Sequence, residues 1–399
     1  MHVFITANSP GEIAGWVKPL AIRLKEKNPR VKVSLVICPC QYASGREIMV
    51  AREWPWIDEI VDPRALLKYV LLGRQTFSWN FEEKSCILFL GGDPFYAAIL
   101  SRRMKIPAFA YTERPGWEKY FKKFLVSNSK AKEKLIHSGV ESKKIEVVGY
   151  LALDSIDLDQ KEEDIYNTLG FRPGDLIIGF LPGSRPVEIN FMLPFFLQSV
   201  DLIRKKIPDA RFLFALSPFS RLEDVKKILS KHEMQAIRQS GFTEVETSSK
   251  SKVILVEKNP HQVIKISRLL VTVPGTNNLQ IAGLGKPMLV VLPLNRAELI
   301  PMDGIIGLIN PKIPPVGFIK KQLIFKKNKM LRFISLPNKA ADQMVVPELR
   351  GIISPQDVAD KVLSLLETPG LLHRISEKLK NIPFERGAAE RIASILLNS

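Results

Sequence analysis

GFLPGSRPVEI, residues 179–189, joins an apolar strand pattern to a helix pattern. The apolar run 176–181 stops abruptly at Pro182-Gly183-Ser184-Arg185, and a largely amphipathic segment over about residues 187–206 follows it. A strand, a tight glycine turn and a helix in this order are how α/β proteins direct backbone N–H groups at an anion. Gly183 lets the backbone approach a ligand, Ser184 supplies a hydroxyl, and Arg185 can bind two phosphate oxygens. The turn predicts a phosphate site, and a βα turn that merely contains an arginine is the alternative.

The same arrangement recurs at residues 274–280, PGTNNLQ, where the strand pattern of 269–273 ends in a glycine turn that opens a helix. Thr276 and the free N–H groups at the helix start suit a diphosphate, and the helix dipole adds to the attraction. Gln280, one turn into the helix, can reach ribose hydroxyls. A capped helix packed by small residues is the alternative. Two such turns in one half of the chain favour a nucleotide site, to which we also assign Gly275 and Asn277.

Strand patterns alternate with helix patterns along the whole chain. The strand patterns are at 3–6, 31–38, 86–90, 108–111, 124–127, 146–148, 176–181, 211–215, 253–256, 269–273 and 288–292. This rhythm predicts an α/β fold of two Rossmann-like, doubly wound parallel-sheet domains facing a cleft. We place the domains at 1–165 and 175–370, on either side of a polar, acidic stretch, and expect helices over 371–399 to pack back on the first domain. The GxGxxG and GxxxxGK[ST] patterns are missing, which argues against a dinucleotide cofactor and a P-loop.

The composition is that of a soluble globular protein, with 46% hydrophobic and 25% charged residues in a chain of 399. No apolar run approaches the ~18–20 residues that a membrane span needs, and the N-terminus shows no signal peptide. The three cysteines, of which Cys38 and Cys40 flank one proline, fit neither a disulfide framework nor a zinc site. We therefore expect a cytoplasmic protein with no bound metal and no cofactor.

The chain is strongly basic, with 58 Lys and Arg against 41 Asp and Glu, a net charge of +17. Residues 102–134 hold ten basic side chains against three acidic ones, and residues 312–332 hold seven and no acid. In both segments the cations are interleaved with aromatic and aliphatic residues, a composition that suits an anionic membrane surface. Nucleic acid and a generally solvated basic surface are the alternatives, and no nucleic-acid-binding signature supports the former.

Three segments together resemble bacterial lipid-A-disaccharide synthases. They are LPGSRPVEINFMLPFFLQSVDLI, the PGT…LQIAGLGKPMLVV segment and ISLPNKAADQMVVPEL, which ends at Leu349. The opening loop ANSPGEIAG, residues 7–15, is similar to that family's glycine-acid loop, with Glu12 at the acidic position. The resemblance runs loosely over nearly the whole chain and is tightest over 176–349.

The resemblance implies a GT-B architecture, a UDP-linked acylated glucosamine donor held by the second domain, and a lipid-linked sugar acceptor held by the first. No metal is required, since arginine and helix dipoles would stabilise the departing diphosphate. The residues implied at the donor are Ser184, Arg185, Gly275, Thr276, Gln280 and Asn338. An enzyme with an acylated acceptor is expected on the inner face of the cell membrane, and a homodimer is left open.

This chain departs from the family pattern at two places. Gln280 stands where a ribose-binding glutamate is expected, and Asp342-Gln343-Met344 replaces Gly-Arg-Glu. Gln280 still offers hydrogen bonds to hydroxyls, but Met344 cannot replace a carboxylate. Two alternatives to the true synthase therefore stay open. One is a divergent relative that uses another donor sugar, and the other is transfer to a diacylglycerol or polyprenyl lipid. A UDP-sugar 2-epimerase and a non-catalytic protein are further alternatives.

An inverting transfer needs a base for the acceptor hydroxyl. Asp93 is the first candidate, because it follows a buried strand at the turn Gly91-Gly92 and lies near the family's catalytic aspartate in the resemblance. The alternative is that Asp93 only caps the helix that follows it. Glu12 and Glu113 are the reserve candidates.

Overall fold

The computed structural model describes residues 1–40, 43–74, 84–238, 242–257, 259–300 and 314–399. In these residues the chain forms two compact units, each built on its own sheet. The first unit consists of residues 1–156 and 384–399, and the second of residues 157–383. The predicted class of two Rossmann-like parallel-sheet domains is confirmed.

The first unit is a parallel sheet in the order β3-β2-β1-β4-β5-β6-β7. Its strands are β1 His2–Ala7, β2 Lys32–Ile37, β3 Glu59–Val61, β4 Ser85–Phe89, β5 Ala108–Tyr111, β6 Lys123–Val126 and β7 Ile145–Val147. Every residue of β1 is buried, because the central strand of a parallel sheet is covered by helices on both faces. The strand order reverses between β1 and β4, and open α/β sheets bind ligands at the carboxyl ends of the strands on either side of such a reversal.

The helices of the first unit follow the strands in the βαβ manner. They are α1 Pro10–Glu12, a π turn Ile13–Val17, α2 Lys18–Lys27, α3 Glu47–Arg52, α4 Pro63–Leu72, α5 Pro94–Met104, α6 Ser129–His137, a 3₁₀ turn Ser142–Lys144 and α7 Leu151–Asp154. Proline occupies the start of α1, α4 and α5, where a missing N–H costs no helical hydrogen bond.

The second unit has the strand order β10-β11-β12-β9-β8-β13-β14-β15. Its strands are β8 Ile177–Leu181, β9 Arg211–Ala215, β10 Gln235–Arg238, β11 Thr243–Glu246, β12 Lys252–Val256, β13 Leu269–Thr272, β14 Met288–Pro293 and β15 Glu348–Gly351. The pairs from β12 to β15 are parallel, whereas β10, β11 and β12 pair antiparallel at one edge. The order reverses between β8 and β13, which places the reversal at the strands that lead into the two glycine turns.

The helices of the second unit alternate with its strands along the chain. They are α8 Glu162–Leu169, α9 Pro186–Lys206, α10 Leu222–Ser230, α11 His261–Ile266, α12 Asn277–Gly283, a 3₁₀ turn Ala297–Leu299, α13 Pro314–Met330, α14 Leu336–Ala341, α15 Pro355–Glu367 and α16 Leu371–Lys380. Of the basic segment 312–332, Lys312 and Ile313 lie outside the described residues, and the rest is α13 and its continuation.

The acidic stretch that the sequence suggests as a linker belongs to the second unit. Helix α8 packs against α11, and two side chains near α11 bind the segment before α8. Lys265 Nζ donates to the Gln160 carbonyl oxygen at 2.6 Å, and Asn259 Nδ2 donates to Gln160 Oε1 at 3.0 Å. The division between the units therefore lies at 156/157 rather than between 165 and 175.

The last helix, α17 Ala388–Leu397, packs against α2 of the first unit. The Asp154 carboxylate accepts the N–H groups of Gly387 and Ala389, both at 2.7 Å, and so caps this helix. The buried face of α17 is apolar, with Ile392 and Leu396 at 0% exposure. Helix α16 groups instead with the second unit, so the two C-terminal helices that the sequence assigned together belong to different units.

Candidate functional site

The two glycine turns of the second unit begin at paired residues. Leu181, the last residue of β8, lies opposite Thr272, the last residue of β13, in a parallel pair. Neighbouring strands lie about 4.8 Å apart. The turns 182–185 and 273–276 therefore leave the sheet side by side, at its carboxyl edge and at the reversal of strand order.

The first turn is held by a carboxylate from the helix that it opens. Glu188, in the first turn of α9, accepts the N–H groups of Ser184 and Arg185 at 3.1 and 3.2 Å. Gly183 has φ +107°, and a Cβ atom there would lie 2.5 Å from Glu188 Oε2. A glycine is thus required at 183 both by its backbone conformation and by the closeness of Glu188.

Arg185 is positioned at this turn and keeps donor capacity. Its Nη1 contacts Glu188 Oε1 at 3.2 Å, and about a third of the side chain is exposed. Its Nε has no hydrogen-bond partner among the described residues. The Ser184 hydroxyl likewise has no partner within the part of the chain that the structure describes. Because Arg185 Nε is buried, the Ser184 hydroxyl and the exposed third of the Arg185 side chain are the groups that can donate to an anion at the end of β8.

The second turn is held by Asn278, which the sequence does not single out. This fully buried amide donates from Nδ2 to the Val273 carbonyl oxygen at 3.0 Å and accepts the Gly275 N–H at 3.3 Å. Asn277 Nδ2 donates to Thr272 Oγ1 at 2.9 Å. Gly275 is exposed and Thr276 is half-exposed, so the outer surface of the turn is open.

Asn338 has a different role from the predicted one. It has 0% exposure, its Oδ1 accepts the N–H groups of Val345 and Val346 at 2.8 and 2.9 Å, and its Nδ2 donates to Glu348 Oε1 at 2.8 Å. An amide with no exposed surface and satisfied hydrogen bonds fixes the segment after α14. The predicted donor contact of Asn338 is therefore corrected, in this structure, to a structural one.

The residues that depart from the family pattern lie on an exposed turn after α14. Asp342 has φ +54° and pairs with Arg332 at 3.1 Å. Gln343 is exposed, and 55% of Met344 is exposed. Gln280, on α12, is half-buried one turn beyond the second glycine turn.

The first unit presents a second cluster, at its own reversal of strand order. Glu12 accepts the N–H groups of Asn8 and Ser9 at 3.1 and 3.3 Å, in the same way that Glu188 does in the second unit. A Cβ atom on Gly91 would overlap the Glu12 carboxylate, so the ends of β1 and β4 meet here. Glu12 is engaged in backbone hydrogen bonds, which suits a structural carboxylate better than a base.

Asp93 caps helix α5 and is exposed. Its Oδ1 accepts the Phe95 N–H at 2.9 Å, as the capping alternative predicts. Burial, followed by the nearby carboxylates of Glu12 and Asp93, raises the pKa of the Cys38 thiol far above its ordinary value. Both carboxylates thus lie near the Cys38 thiol, and within the described residues the second oxygen of Asp93 has no hydrogen-bond partner.

Glu113 belongs to a third group, at the ends of β5 and β6. It accepts a hydrogen bond from the Ser127 hydroxyl. Asn128 Nδ2 donates to Ser127 Oγ at 3.0 Å and to the Tyr150 hydroxyl at 2.6 Å. Of the three predicted carboxylates, Glu12 and Asp93 both lie at the ends of β1 and β4 near Cys38, and Glu113 belongs to a separate hydrogen-bond network.

The described residues offer neither a metal site nor a membrane-spanning helix. No group of three His, Cys, Asp or Glu side chains there has the arrangement of a metal site. Within the same residues, no helix combines the length and the apolarity that crossing a bilayer requires.

A family model described as lipid-A-disaccharide synthetase matches residues 139–380, well over half of the chain. The chain belongs to this family. The match covers both glycine turns, α14 and the segment with the three substituted residues, and it includes nearly all of the second unit.

Individual relatives agree with the assignment to the lipid-A-disaccharide synthetase family. The lipid-A-disaccharide synthase of Persephonella marina is 30% identical over 264 residues, which cover 64% of this chain and 59% of that protein. The lipid-A-disaccharide synthase of a Sulfurihydrogenibium species is 25% identical over 258 residues, which cover 63% of this chain and 58% of that protein. The chain thus spans just under three fifths of the length of these relatives.

Solved structures of low sequence identity share the whole fold. The Staphylococcus aureus MnaA–UDP co-structure has a TM-score of 0.60 at 14% identity, over 100% of this chain and 97% of that one. The UDP-GlcNAc 2-epimerase of Neisseria meningitidis bound to UDP-GlcNAc has a TM-score of 0.58 at 16% identity, over 100% of both chains. The fold is the predicted GT-B fold.

Proposed function

We propose that this protein is a glycosyltransferase that moves a sugar from a UDP-sugar donor to a lipid-linked acceptor. The observation that carries the proposal is the pair of glycine turns that leave the paired ends of β8 and β13. Membership of the lipid-A-disaccharide synthetase family supports this chemistry. The finer proposal is an acylated glucosamine donor and an acylated sugar acceptor, with a diacylglycerol or polyprenyl acceptor as the alternative.

The donor diphosphate is assigned to the two turns. Ser184 and Arg185 donate from the first turn, and the open surface at Gly275 and Thr276 receives the second phosphate. Asn277 and Gln280 are assigned to the nucleoside, Gln280 through ribose hydroxyls. Arg185 and the α9 dipole supply the positive charge that a departing diphosphate needs, so we propose a metal-independent, inverting reaction without a cofactor.

The acceptor base is assigned to Asp93. Its exposed carboxylate has one oxygen committed to the cap of α5, which fixes the orientation of the group, and a second oxygen that can take a proton. Glu12 holds the turn next to it, and Glu113 remains the reserve base. The epimerase alternative is less well supported, because the turn 274–280 contains no carboxylate.

The first unit also offers a surface for a membrane. Phe95, Trp117 and Tyr120 are each about 40% exposed, and the Trp117 ring contacts Phe95 edge-on with centroids 6.1 Å apart and Tyr120 at a tilt with centroids 5.7 Å apart. Trp117 has φ +64°, a conformation that is rare for a bulky side chain and that clusters at functional sites. Other aromatic residues of the basic segment 102–134, Phe109, Phe121 and Phe124, are core residues instead.

We propose that the aromatic surface of Phe95, Trp117 and Tyr120, together with cations of the basic segment 102–134, binds the anionic inner face of the cell membrane. Sedimentation with anionic liposomes at low salt is expected, with release at high salt because the contribution of the cations is screened. Changing Trp117 and Tyr120 together to Ser should reduce the bound fraction severalfold. Lys123→Gln is the control and should not reduce it, because Lys123, on strand β6, already pairs with Glu146 at 2.6 Å. Equal sedimentation of both variants would contradict the assignment.

The transfer itself is tested by incubating the protein with labelled UDP-sugars and a lipid extract. Release of UDP together with a labelled lipid is the expected result. Conversion of the UDP-sugar to its epimer without lipid labelling would favour the epimerase, and no conversion of any donor would contradict the enzyme assignment.

A further inference from the structure

The second unit contains a pocket of about 260 Å³ between α15, α16 and the segment that precedes β15. Its apolar lining comes from Val345, Pro347, Leu365, Leu371 and Ile375. Neither of the two glycine turns contributes a residue to it. The pocket is therefore separate from the residues assigned to the donor.

Three cations surround this apolar lining: Lys361 on α15, and Arg374 and Lys378 on α16. The helical spacing explains the arrangement. Residues 371, 374, 375 and 378 lie on one face of α16, and residues 361 and 365 lie one turn apart on α15. Apolar and basic side chains thus alternate along the same two helix faces.

Within the described residues these three cations have no carboxylate partner, although acids are close in sequence. Glu377 pairs with Lys380 at 2.9 Å, and Asp360 accepts a hydrogen bond from Gln356 at 2.7 Å. Asp357 is taken up by the cap of α15. The pocket consequently combines an apolar interior with uncompensated positive charge at its rim.

Met344 lies at this pocket, with more than half of its surface exposed. By the resemblance described above, a glutamate is expected at this position. The methionine removes a negative charge from the rim and adds an unbranched, adaptable apolar side chain. The methionine is not among the residues assigned to the donor, and at the pocket it would extend the apolar lining.

We propose that the pocket binds one acyl chain of an anionic membrane lipid, with the lipid phosphate at Lys361, Arg374 and Lys378. Among the described residues, the lining has no hydroxyl, amide or carboxylate side chain that could recognise a sugar or a base, which favours an alkyl chain over a second nucleotide. Its volume is below the ≈ 300–1,000 Å³ of pockets that enclose a whole drug-sized ligand, so it accepts part of one chain. The second unit would thereby hold a lipid independently of the transfer reaction.

The test compares three probes on the full-length protein. Dodecyl phosphate carries chain and anionic head, dodecyl maltoside carries the same chain with a neutral head, and inorganic phosphate has no chain. Below the micelle concentration, dodecyl phosphate is expected to slow hydrogen exchange in peptides covering α15 and α16, and the other two probes are not. Equal protection by dodecyl maltoside, or protection confined to other peptides, would overturn the proposal.

Variants locate the site. Lys361→Gln, Arg374→Gln and Lys378→Gln together are expected to weaken dodecyl phosphate binding about tenfold or more, and Met344→Glu is expected to weaken it severalfold. Lys380→Gln is the matched control, because Lys380 is on the same helix but pairs with Glu377 and does not line the pocket. Binding that is unchanged in both the triple variant and Met344→Glu would also overturn the proposal. UDP binding measured on the same variants should stay unchanged. The lipid proposal and the proposed sugar transfer can therefore be tested independently of each other.

Discussion

Two glutamates occupy equivalent positions in the two units. Glu12 and Glu188 each lie two residues after the proline that starts a helix, and each accepts the N–H groups of the two residues before that proline. The segments Ser9-Pro10-Gly11-Glu12 and Arg185-Pro186-Val187-Glu188 show this pattern in the sequence. A carboxylate there satisfies helix N–H groups and interacts well with the helix dipole. Each unit therefore fixes the turn after its first strand by the same means.

Asp93 tests the proposed chemistry at a single residue. Asp93→Asn should keep the α5 cap, since asparagine caps as well as aspartate, and should remove the base. We expect turnover to fall by about 10²–10⁴ with the free energy of unfolding unchanged within about 0.5 kcal/mol. Asp93→Ala should show the same loss of turnover and, in addition, lose about 1 kcal/mol of stability. Initial rates and denaturant unfolding measure both quantities, and a fully active Asp93→Asn protein would refute the role.

Single residues are where prediction from the sequence is weakest. Gly183, Ser184 and Arg185 stand out because a glycine turn between a strand and a helix has few other uses. Asn278 and Glu188 are missed as supports, because their partners are backbone groups whose positions only the fold determines. Asn338 is misassigned because a buried, fully bonded amide and a ligand-binding amide look alike in a motif.

At the scale of elements, strands and helices of the parallel sheets are largely predictable. The pattern at 108–111 coincides with β5, and that at 211–215 coincides with β9, because buried parallel strands are continuous apolar runs. Strands β3 and β15 and the β10–β11 pair are missed. They lie at or next to a sheet edge and are only three or four residues long, and few of their residues are fully buried, so they lack a continuous apolar run.

Gly91 and Gly183 require glycine for different reasons. At Gly91 a side chain would clash with a neighbour, and at Gly183 the backbone conformation also strains any other residue. Gly91→Ala should cost about 1–3 kcal/mol, because the new methyl group displaces the Glu12 carboxylate from its N–H partners. In a Glu12→Ala background most of that cost should disappear. Gly183→Ala should cost about as much, but the cost should persist in a Glu188→Ala background, because φ +107° strains any residue with a Cβ.

Double-mutant cycles by denaturant unfolding measure this contrast. The expected coupling energy is about 1 kcal/mol or more for Gly91 with Glu12 and clearly smaller for Gly183 with Glu188. Additive effects for Gly91 and Glu12 would show that the carboxylate does not occupy the space beside Gly91.

At the scale of the whole molecule, the chain builds two units but does not divide into two consecutive segments. The alternation of strands and helices predicts the two sheets. The expected return of the C-terminal helices to the first unit holds for α17, which is fixed by the Asp154 cap and by burial of an apolar helix face, and not for α16. The boundary lies at 156/157, before the acidic stretch, because that stretch bonds to residues near α11, and such long-range contacts leave no local signal.

Asp154 tests this arrangement. Asp154→Ala removes two hydrogen bonds at the start of α17 and should destabilise the first unit by about 1–2 kcal/mol. Native-state hydrogen exchange should accelerate in peptides from 384–399 and from 1–156 and stay unchanged in 157–383. Asp357→Ala, which removes the corresponding acid at the start of α15, is the control and should affect the second unit alone. Faster exchange spread over both units in Asp154→Ala would contradict the assignment of α17.

We expect the turn after β8 to bind the diphosphate of a UDP-sugar, and calorimetric titration with UDP measures this binding without a need for the acceptor. Arg185→Ala removes an arginine that pairs with a glutamate three residues later, and Arg221→Ala removes an arginine in the same unit that pairs with Asp224 at the same spacing. We predict that UDP binds the unaltered protein and the Arg221→Ala protein equally, and binds Arg185→Ala at least about tenfold more weakly, because a hydrogen bond to a charged group contributes ~1.5–3 kcal/mol. Equal affinity of the Arg185→Ala and Arg221→Ala proteins, or no binding of UDP to the unaltered protein, would contradict the account.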